Sequence, residues 1–207
     1  MVTRELEFLI YTIKAYKSLY LMPLILAMLI IFEFVIGMEI IAERSLVLVL
    51  FPLINLPILS VMSIIGSLEQ KELFITLPIS HWKVGFLRPF AVSFLISILF
   101  SGIVAIYVDN TLLVSVFSSS LLYLSITTLL ITILKHAGLG LGISLSYLMY
   151  GLFTTGSGQG PLYLTQWYRP RVMSSENEYI IIQLITVLIT HLITVICIKY
   201  RSQYHLT

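Results

Sequence analysis

Long apolar runs, separated by short polar intervals, occupy most of the chain. Segments such as Leu21–Phe32, LMPLILAMLIIF, stay apolar without the alternation of polar and apolar residues that a membrane β-strand requires. The pattern therefore predicts helices, and six apolar runs are long enough to span a bilayer at about 20 residues each. The predicted spans are Tyr20–Met38, Leu46–Ser67, Pro89–Val108, Leu112–Leu134, Ala137–Thr155 and Tyr179–Ile198.

Composition places the chain among membrane proteins. Of its 207 residues, 58% are hydrophobic and only 11% are charged, and the mean hydropathy is +1.02. Soluble domains carry about 25% charged residues, and a six-span domain over 20–198 leaves no room for a soluble domain. The lone cysteine, Cys197, excludes a disulfide within the chain and a cysteine-based metal cluster. The predicted fold class is an all-α integral membrane protein.

Lysine and arginine are distributed unequally between the two sets of connections. With the N-terminus placed in the cytoplasm, three of the twelve basic residues, Arg44, Arg169 and Arg171, fall on the outer side. Basic residues favour the cytoplasmic loops of membrane proteins. Both termini are therefore predicted to be cytoplasmic, with the chain in the cell membrane. The nine basic residues on the cytoplasmic side are Arg4, Lys14, Lys17, Lys71, Lys83, Arg88, Lys135, Lys199 and Arg201.

Two segments outside the spans are predicted to lie along the membrane surface. In the N-terminal segment 1–19, apolar residues recur at helical spacing opposite a polar face that includes Arg4 and Glu7, which predicts an amphipathic interfacial helix. The external connection 155–178 begins with glycines and continues through PLYLTQWY, whose aromatic residues favour a short re-entrant or interfacial element. Simple flanking residues and a plain loop stay open as alternatives. Residues 199–207 are predicted to form a cytoplasmic tail.

The interval Ser67–Pro89, SLEQKELFITLPISHWKVGFLRP, is far more polar than a connection between spans requires. Its first part, Leu68–Leu77, predicts a short helix with an apolar and a charged side. Pro78 ends this helix because proline lacks the backbone N–H, and Ser80 is placed to cap a second helix that runs into the third span. A short charged helix held beneath a membrane is suited to docking a partner.

This interval resembles the cytoplasmic loop of ABC type-2 permeases. In that family an acidic residue follows the second span, and then come a helix rich in Glu and Leu, a T/S-x-P-[V/I]-S turn and a basic start to the third span. Here Arg88 stands where a Gly-Lys pair is common, and the usual glycine after the acidic residue is missing. Six spans, an N-terminal interfacial helix and an external re-entrant element are also similar to the family plan. The residues that match the loop pattern are Glu69, Glu72, Leu73, Thr76, Leu77, Pro78, Ile79 and Ser80.

The resemblance implies a permease subunit of an ABC exporter. Such a subunit pairs with a second permease copy or a homologue in the lipid bilayer, and a separate ABC ATP-binding subunit docks on the 67–89 coupling loop. ATP and Mg²⁺ belong to that partner, because no G-x-x-x-x-G-K-[ST] phosphate loop occurs in this sequence. We expect no bound cofactor or metal, no catalytic residue and no nucleic-acid partner. The residues implied to meet the ATPase are Glu69, Lys71, Glu72, Leu73, Pro78, Ser80, His81, Trp82 and Lys83.

Five residues within the spans are candidates for the pathway or the dimer interface. Glu33 is an ionisable group inside the first span, with snorkelling to the headgroups as the alternative. Asn55 stands between two prolines and can bond a freed carbonyl or a neighbouring helix, which predicts a flexible pivot. His191 is expected to be buried, neutral and bonded to a helix partner, with a proton-linked or substrate role as the alternative. Gly138 and Gly142 permit close helix approach; packing alone also explains them and Asn55.

Three other functions stay open at this point. Haem exporters of cytochrome c biogenesis are similar in length and share the loop start GSLEQ, which stands here at Gly66–Gln70. An intramembrane serine protease requires a G-x-S-G motif, but Thr155 replaces its first glycine, and His191 is predicted to lie about 18 Å below the surface near which Ser157 lies. A non-transporting receptor or sensor subunit of an ABC complex is the third.

Overall fold

The computed structural model describes residue 7 and residues 10–11, 14–66, 80–153, 160–168 and 176–203. Throughout these parts of the chain the regular elements are helices, with no strand among them, which confirms the all-helical prediction. Five helical segments are long and apolar enough to cross a membrane, while a sixth apolar helix, Ala137–Phe153, has only 17 residues. Seventeen residues extend about 26 Å, short of a hydrocarbon core about 30 Å thick. Of the six predicted spans, five therefore have spanning length.

The helices follow the predicted order along the chain. The first two spans are separated only by Gly37 and Met38, and Gly37 ends the first helix with a left-handed backbone (φ 86°) that favours glycine. Glu39, Glu43 and Arg44, which the sequence pattern placed in an external connection, instead form part of the helix that opens the second span. The α-helices are α1 (Lys17–Ile36), α2 (Glu39–Ser45), α3 (Phe51–Leu53), α4 (Leu56–Gly66), α5 (Arg88–Tyr107), α6 (Leu113–Leu134), α7 (Ala137–Phe153) and α8 (Glu176–Gln203); Leu46–Leu50 and Lys83–Leu87 are π-helical, and Asn110–Leu112 and Gln166–Tyr168 are 3₁₀ turns.

Helix α6 forms the centre of the bundle and packs against α4, α5, α7 and α8. Its segment, Asn110–Leu134, has the lowest mean hydropathy of the five long segments, 1.8, and the largest buried share, 72%. Its serine and threonine hydroxyls bond back to carbonyls of the same helix, as from Ser125 to Leu122 (2.8 Å) and from Thr128 to Leu124 (2.9 Å). Small residues at helix contacts allow neighbouring backbones to approach closely, which explains why a serine-rich helix lies at the centre.

Helix α1 lies at the edge of the bundle, and only 6% of its apolar stretch of 18 residues is buried. A contact near each end holds it in place. Tyr20 Oη lies 2.7 Å from Ser60 Oγ on α4, and the ring of Phe34 stacks on Tyr107 of α5 with 5.1 Å between centroids. Large apolar side chains such as Met28 point outward, as a helix that faces lipid requires.

Both predicted flanking segments are described only in part. The described residues of segment 1–19 are helical apart from a turn at Tyr16, and α1 begins at Lys17, three residues before the predicted start of the first span. At the other end, α8 continues to Gln203 and so takes in the first half of the predicted tail 199–207. The boundary between the last span and the tail is therefore not a change of secondary structure.

Candidate functional site

The predicted docking interval enters the described structure at Ser80. Ser80 is exposed and non-helical, and its carbonyl accepts the N–H groups of Lys83 (3.0 Å) and Val84 (3.2 Å). Because an N-cap residue accepts the first intrahelical bond with its own carbonyl, the helix of the third span begins here and not at Pro89. Residues 67–79 lie outside the described part of the chain, and with them the predicted coupling residues Glu69, Lys71, Glu72, Leu73 and Pro78.

An aromatic ladder follows Ser80 along one face of the third span. Trp82 stacks on Phe86 (4.8 Å between centroids), Phe86 on Phe90 (5.3 Å), and Phe90 on Phe94 (6.0 Å). Trp82 is 50% exposed, so the ladder starts at the surface. Residues four apart share a helix face, and this i, i+4 spacing of aromatic residues is the sequence signal that reveals the ladder.

The first turns of the third span press against the last helix, α8. A Cβ on Gly85 would lie 2.9 Å from Cα of Val195, so glycine is needed at this crossing. One turn earlier on α8, His191 is fully buried, and the rings of Phe86 and Phe90 lie 5.6 and 5.5 Å from its own, in edge-on arrangements. The start of the third span and the middle of α8 are thus one packed unit.

His191 is buried, as expected, against the start of the third span. Neither ring nitrogen forms a hydrogen bond of strict geometry among the described residues, while the backbone of Gly85 lies close to the ring. The hydroxyls of Thr190 and Thr194 bond to carbonyls of their own helix, at 2.8 Å each. Aromatic packing therefore holds the ring. Ser157, the nucleophile of the protease alternative, lies outside the described residues.

The second span is interrupted near its middle. A π-helical segment, Leu46–Leu50, leads into the single turn α3, and Ile54 and Asn55 form a further turn before α4 begins at Leu56. Pro57 adds to the interruption because its missing N–H leaves a carbonyl of the preceding turn without its helical partner. Isolated π segments and broken membrane helices often mark functional positions.

Asn55, within this interruption, is hydrogen-bonded to Tyr123 of α6. Asn55 Nδ2 donates to Tyr123 Oη at 2.7 Å, and Tyr123 Oη donates to the carbonyl oxygen of Pro52 at 3.1 Å. Asn55 is 1% exposed and Tyr123 is fully buried, while Asn55 Oδ1 has no partner among the described residues. Of the two partners predicted for Asn55, the structure shows the neighbouring helix. Tyr123 was missed in the sequence, where a lone tyrosine in a serine-rich helix is its only signal.

Glu33 lies near the C-terminal end of α1, one turn before Gly37. Because α1 begins at Lys17, Glu33 lies about 24 Å from that end of the helix. The side chain is half-buried, and Oε2 is buried with no hydrogen-bond partner among the described residues. No hydrogen bond or ring contact described here joins Glu33 to Asn55 or His191, so the structure does not gather these candidates into one site.

The three glycines that open α7 differ in their surroundings. A Cβ on Gly140 would lie 2.6 to 2.8 Å from atoms of Ile131, backbone included, so α7 and α6 meet closely at this point. Gly142 has no atom within 4 Å of such a Cβ, and for Gly138 the nearest neighbour is His136, just before it in the chain, at 3.3 Å. The close helix approach predicted for Gly138 and Gly142 therefore occurs at Gly140, where α7 packs against α6.

Residues 160–168, a described part of the connection 155–178, pack against the bundle. Tyr147 Oη donates to the carbonyl of Leu162 at 2.7 Å, and Tyr163 Oη donates to the carbonyl of Gly151. Trp167 is only 7% exposed and lies edge-on to Phe51 of α3 at 5.7 Å. This part of the connection is therefore a packed element of the fold.

A polar contact near the same end joins α6 and α8. Gln183 is buried, and its Oε1 accepts the hydroxyls of Ser118 (2.6 Å) and Ser119 (3.3 Å). A cavity of about 30 Å³ lies between this group and Gln166 and Trp167 of the connection 155–178, and it has room for a single water molecule. The sequence signal for Gln183 is the one amide side chain in the apolar run YIIIQLITVLIT.

Comparison of the chain with models of known families, with curated proteins and with solved structures finds no match. The resemblance to ABC type-2 permeases therefore rests on the 67–89 interval and on the order of apolar segments. In the described parts of the chain, no three His, Cys, Asp or Glu side chains come together in the way that a metal site requires.

Proposed function

We propose that the chain is a permease subunit of an ABC exporter in the cell membrane, with both termini in the cytoplasm. It forms the translocation path with a second permease, a copy or a homologue, and a separate ATP-binding subunit docks on the 67–89 loop. The observation that carries the proposal is the polar interval Ser67–Pro89, with its coupling-loop pattern between two apolar spans. ATP and Mg²⁺ are held by the partner, and this chain supplies the path.

The surroundings of the loop support a mechanical role. The loop joins α4, the inner half of the interrupted second span, to the helix that begins after Ser80. That helix packs on α8 so closely that Gly85 has no room for a Cβ. A displacement of the loop is therefore transmitted to the second span, to the third span and to α8 together, because closely packed helices move as units.

The interruption of the second span supports the same mechanism. A helix with a break at Asn55 can change its angle there while its two halves stay helical. The hydrogen bonds from Asn55 to Tyr123 and from Tyr123 to Pro52 hold one arrangement of the break. Exchange of these bonds would permit the alternation between inward-facing and outward-facing states that transport requires.

One observation favours a second candidate, a permease of the haem-exporter type. The loop begins with GSLEQ at Gly66–Gln70, the start that such permeases share. The two candidates differ only in cargo. Haem should stimulate the ATPase activity of the reconstituted complex if this candidate is correct, and it should leave that activity unchanged if the cargo is different.

The proposal is tested by isolating the tagged full-length chain from its native membranes and identifying the proteins that accompany it. We expect an ABC ATP-binding subunit, and we expect a screen of candidate cargoes against the reconstituted complex to raise its ATPase rate. Glu69→Lys reverses a charge on the predicted docking helix. The variant should insert at the wild-type level while losing the ATP-binding subunit or the coupling of hydrolysis to transport.

Glu178→Lys is the matched control, because Glu178 is exposed at the outer end of α8 and is predicted to lie on the opposite side of the membrane. It should retain both the partner and the coupling. The proposal fails if no ABC ATP-binding subunit accompanies the chain after mild cross-linking. The docking assignment fails if Glu69→Lys and Glu178→Lys behave alike.

A further inference from the structure

A cleft of about 320 Å³ opens where the second span, the α5–α6 connection and the external connection meet. Its polar wall carries two carboxylates, Glu43 of α2 and Asp109 before α6, and its aromatic wall is formed by Trp167 and Tyr168. Apolar side chains, Leu46 among them, form the floor. Small-molecule sites have volumes from about 300 Å³ upward and combine apolar walls with a few convergent polar groups.

The carboxylate of Asp109 is held in place by the backbone. Asp109 Oδ1 accepts the N–H of Thr111 at 2.8 Å, which caps the 3₁₀ turn that leads into α6. The same hydrogen bond lowers the pKa of Asp109 from its ordinary value, because a donor stabilises the ionised form. The carboxylate is therefore charged at neutral pH.

The aromatic wall is also positioned by the fold. Trp167 lies edge-on to Phe51 (5.7 Å) and Phe100 (6.0 Å) in the bundle core, and Tyr168 lies edge-on to Trp167 at 6.1 Å. Trp167 is only 7% exposed, and its indole Nε1 has no hydrogen-bond partner among the described residues. The ring thus lines the cleft together with Tyr168.

Neither carboxylate of the cleft is neutralised within the described structure. No basic side chain described here forms an ion pair with Glu43 or Asp109, and Arg44, the neighbour of Glu43, is exposed and does not line the cleft. Two anionic groups beside aromatic rings attract a cation in two ways, through charge-assisted hydrogen bonds to the carboxylates and through the negative ring faces. An apolar floor adds a preference for carbon next to that cation.

We propose that this cleft binds an organic ammonium group, with the charged nitrogen at Glu43 and Asp109 and the adjoining carbon atoms against Trp167 and Leu46. Two sources supply this chemistry, the headgroup of an aminophospholipid in the surrounding leaflet and a free alkylammonium ion. The site does not depend on the transport function proposed above, because it uses no residue of the 67–89 loop.

The test uses the full chain in nanodiscs and reads the fluorescence of Trp167. Trp82→Phe leaves Trp167 as the sole tryptophan, since the chain contains two. In phosphatidylglycerol nanodiscs, n-butylammonium should change the fluorescence saturably, whereas n-butanol, its neutral counterpart, should not. Glu43→Gln and Asp109→Asn should each raise the dissociation constant by about tenfold or more. Asparagine keeps the capping oxygen, so Asp109→Asn retains the turn.

Glu39→Gln is the matched control, because Glu39 is exposed one turn earlier on α2 and does not line the cleft. Its dissociation constant should equal that of the parent. Nanodiscs of equal phosphatidylglycerol content, with the remainder either phosphatidylethanolamine or an uncharged glycolipid, then distinguish the sources: because the surface charge is the same, a weaker apparent affinity for butylammonium with phosphatidylethanolamine identifies the lipid headgroup as occupant, and an equal affinity identifies the free ion. Both of these results support the ammonium site.

Three results would overturn the proposal. The first is a wild-type dissociation constant in both Glu43→Gln and Asp109→Asn. The second is an equal response to butanol, which would show an apolar cleft without charge recognition. The third is binding that occurs only after Arg169→Ala, because the cleft would then be filled by an arginine that follows Tyr168 in the chain. Circular dichroism and size-exclusion chromatography of each variant ensure that the comparison is made on folded protein.

Discussion

Replacing Tyr123 by phenylalanine removes the hydroxyl that joins the interrupted second span to α6. That hydroxyl accepts from Asn55 Nδ2 at 2.7 Å and donates to the Pro52 carbonyl at 3.1 Å. Asn55 is 1% exposed, and its Oδ1 already has no partner among the described residues. Tyr123→Phe would therefore leave the Asn55 amide without its described hydrogen bond, in a place that water does not reach.

The expected loss follows from these contacts. An unsatisfied buried group costs about 1 to 3 kcal/mol in soluble proteins, and interhelical hydrogen bonds in membranes contribute about 0.6 kcal/mol on average and up to about 1.7 kcal/mol. We expect Tyr123→Phe to lower the free energy of unfolding by about 1 to 2 kcal/mol. Ser125→Ala is the matched control, since its hydroxyl bonds only to Leu122 of its own helix; its effect should stay within about 0.5 kcal/mol.

A double-mutant cycle with Asn55→Leu separates the hydrogen bond from the packing. The double variant replaces both polar partners by apolar groups, which leaves no buried donor unpaired, so it should be about 1 kcal/mol more stable than the sum of the single effects predicts. Reversible unfolding in mixed detergent micelles, followed by Trp167 fluorescence on the Trp82→Phe background, measures all four proteins. Additivity within about 0.3 kcal/mol would refute the reasoning, and so would a Tyr123→Phe variant as stable as the wild type.

Further predictions concern two glycines at which a side chain has no room and one carboxylate that accepts a backbone hydrogen bond. Gly140→Ala should destabilise the protein by about 1 to 3 kcal/mol because its Cβ would meet the α6 backbone at 2.7 Å, whereas Gly142→Ala, with no atom within 4 Å, should not destabilise it; thermal unfolding compares the two. Gly85→Ala should likewise lower the unfolding temperature because its Cβ would lie 2.9 Å from α8, while Gly102→Ala, with no atom within 4 Å, should not. The pKa of Asp109 is lowered by a backbone hydrogen bond, so the contribution of this cap is present above the ordinary value and is lost as pH falls through the lowered pKa. A carbon NMR titration of the Asp109 carboxyl should therefore give a midpoint below about 3.9.

The sequence alone was sufficient for the helical class and for most of the helix boundaries. Long apolar runs without alternation exclude strands, and a run such as Leu112–Leu134 ends where α6 ends, at Leu134. The sequence was less informative where a helix continues through polar residues. The pattern placed Glu39 and Glu43 in a connection, yet both are helical, because a glycine with a left-handed backbone makes the turn at Gly37 in two residues.

The sequence also indicated the individual candidates Asn55, His191 and the α7 glycines, but only the tertiary structure decided their neighbours. Hydrophobic periodicity reports which face of a helix is apolar, and it carries no information about which helix lies opposite. The pairing of Asn55 with Tyr123, 68 positions later, depends on the packing of the second span against α6. The ammonium cleft likewise unites Glu43, Asp109 and Trp167 from three separate parts of the chain. Such a site exists only once the helices have packed.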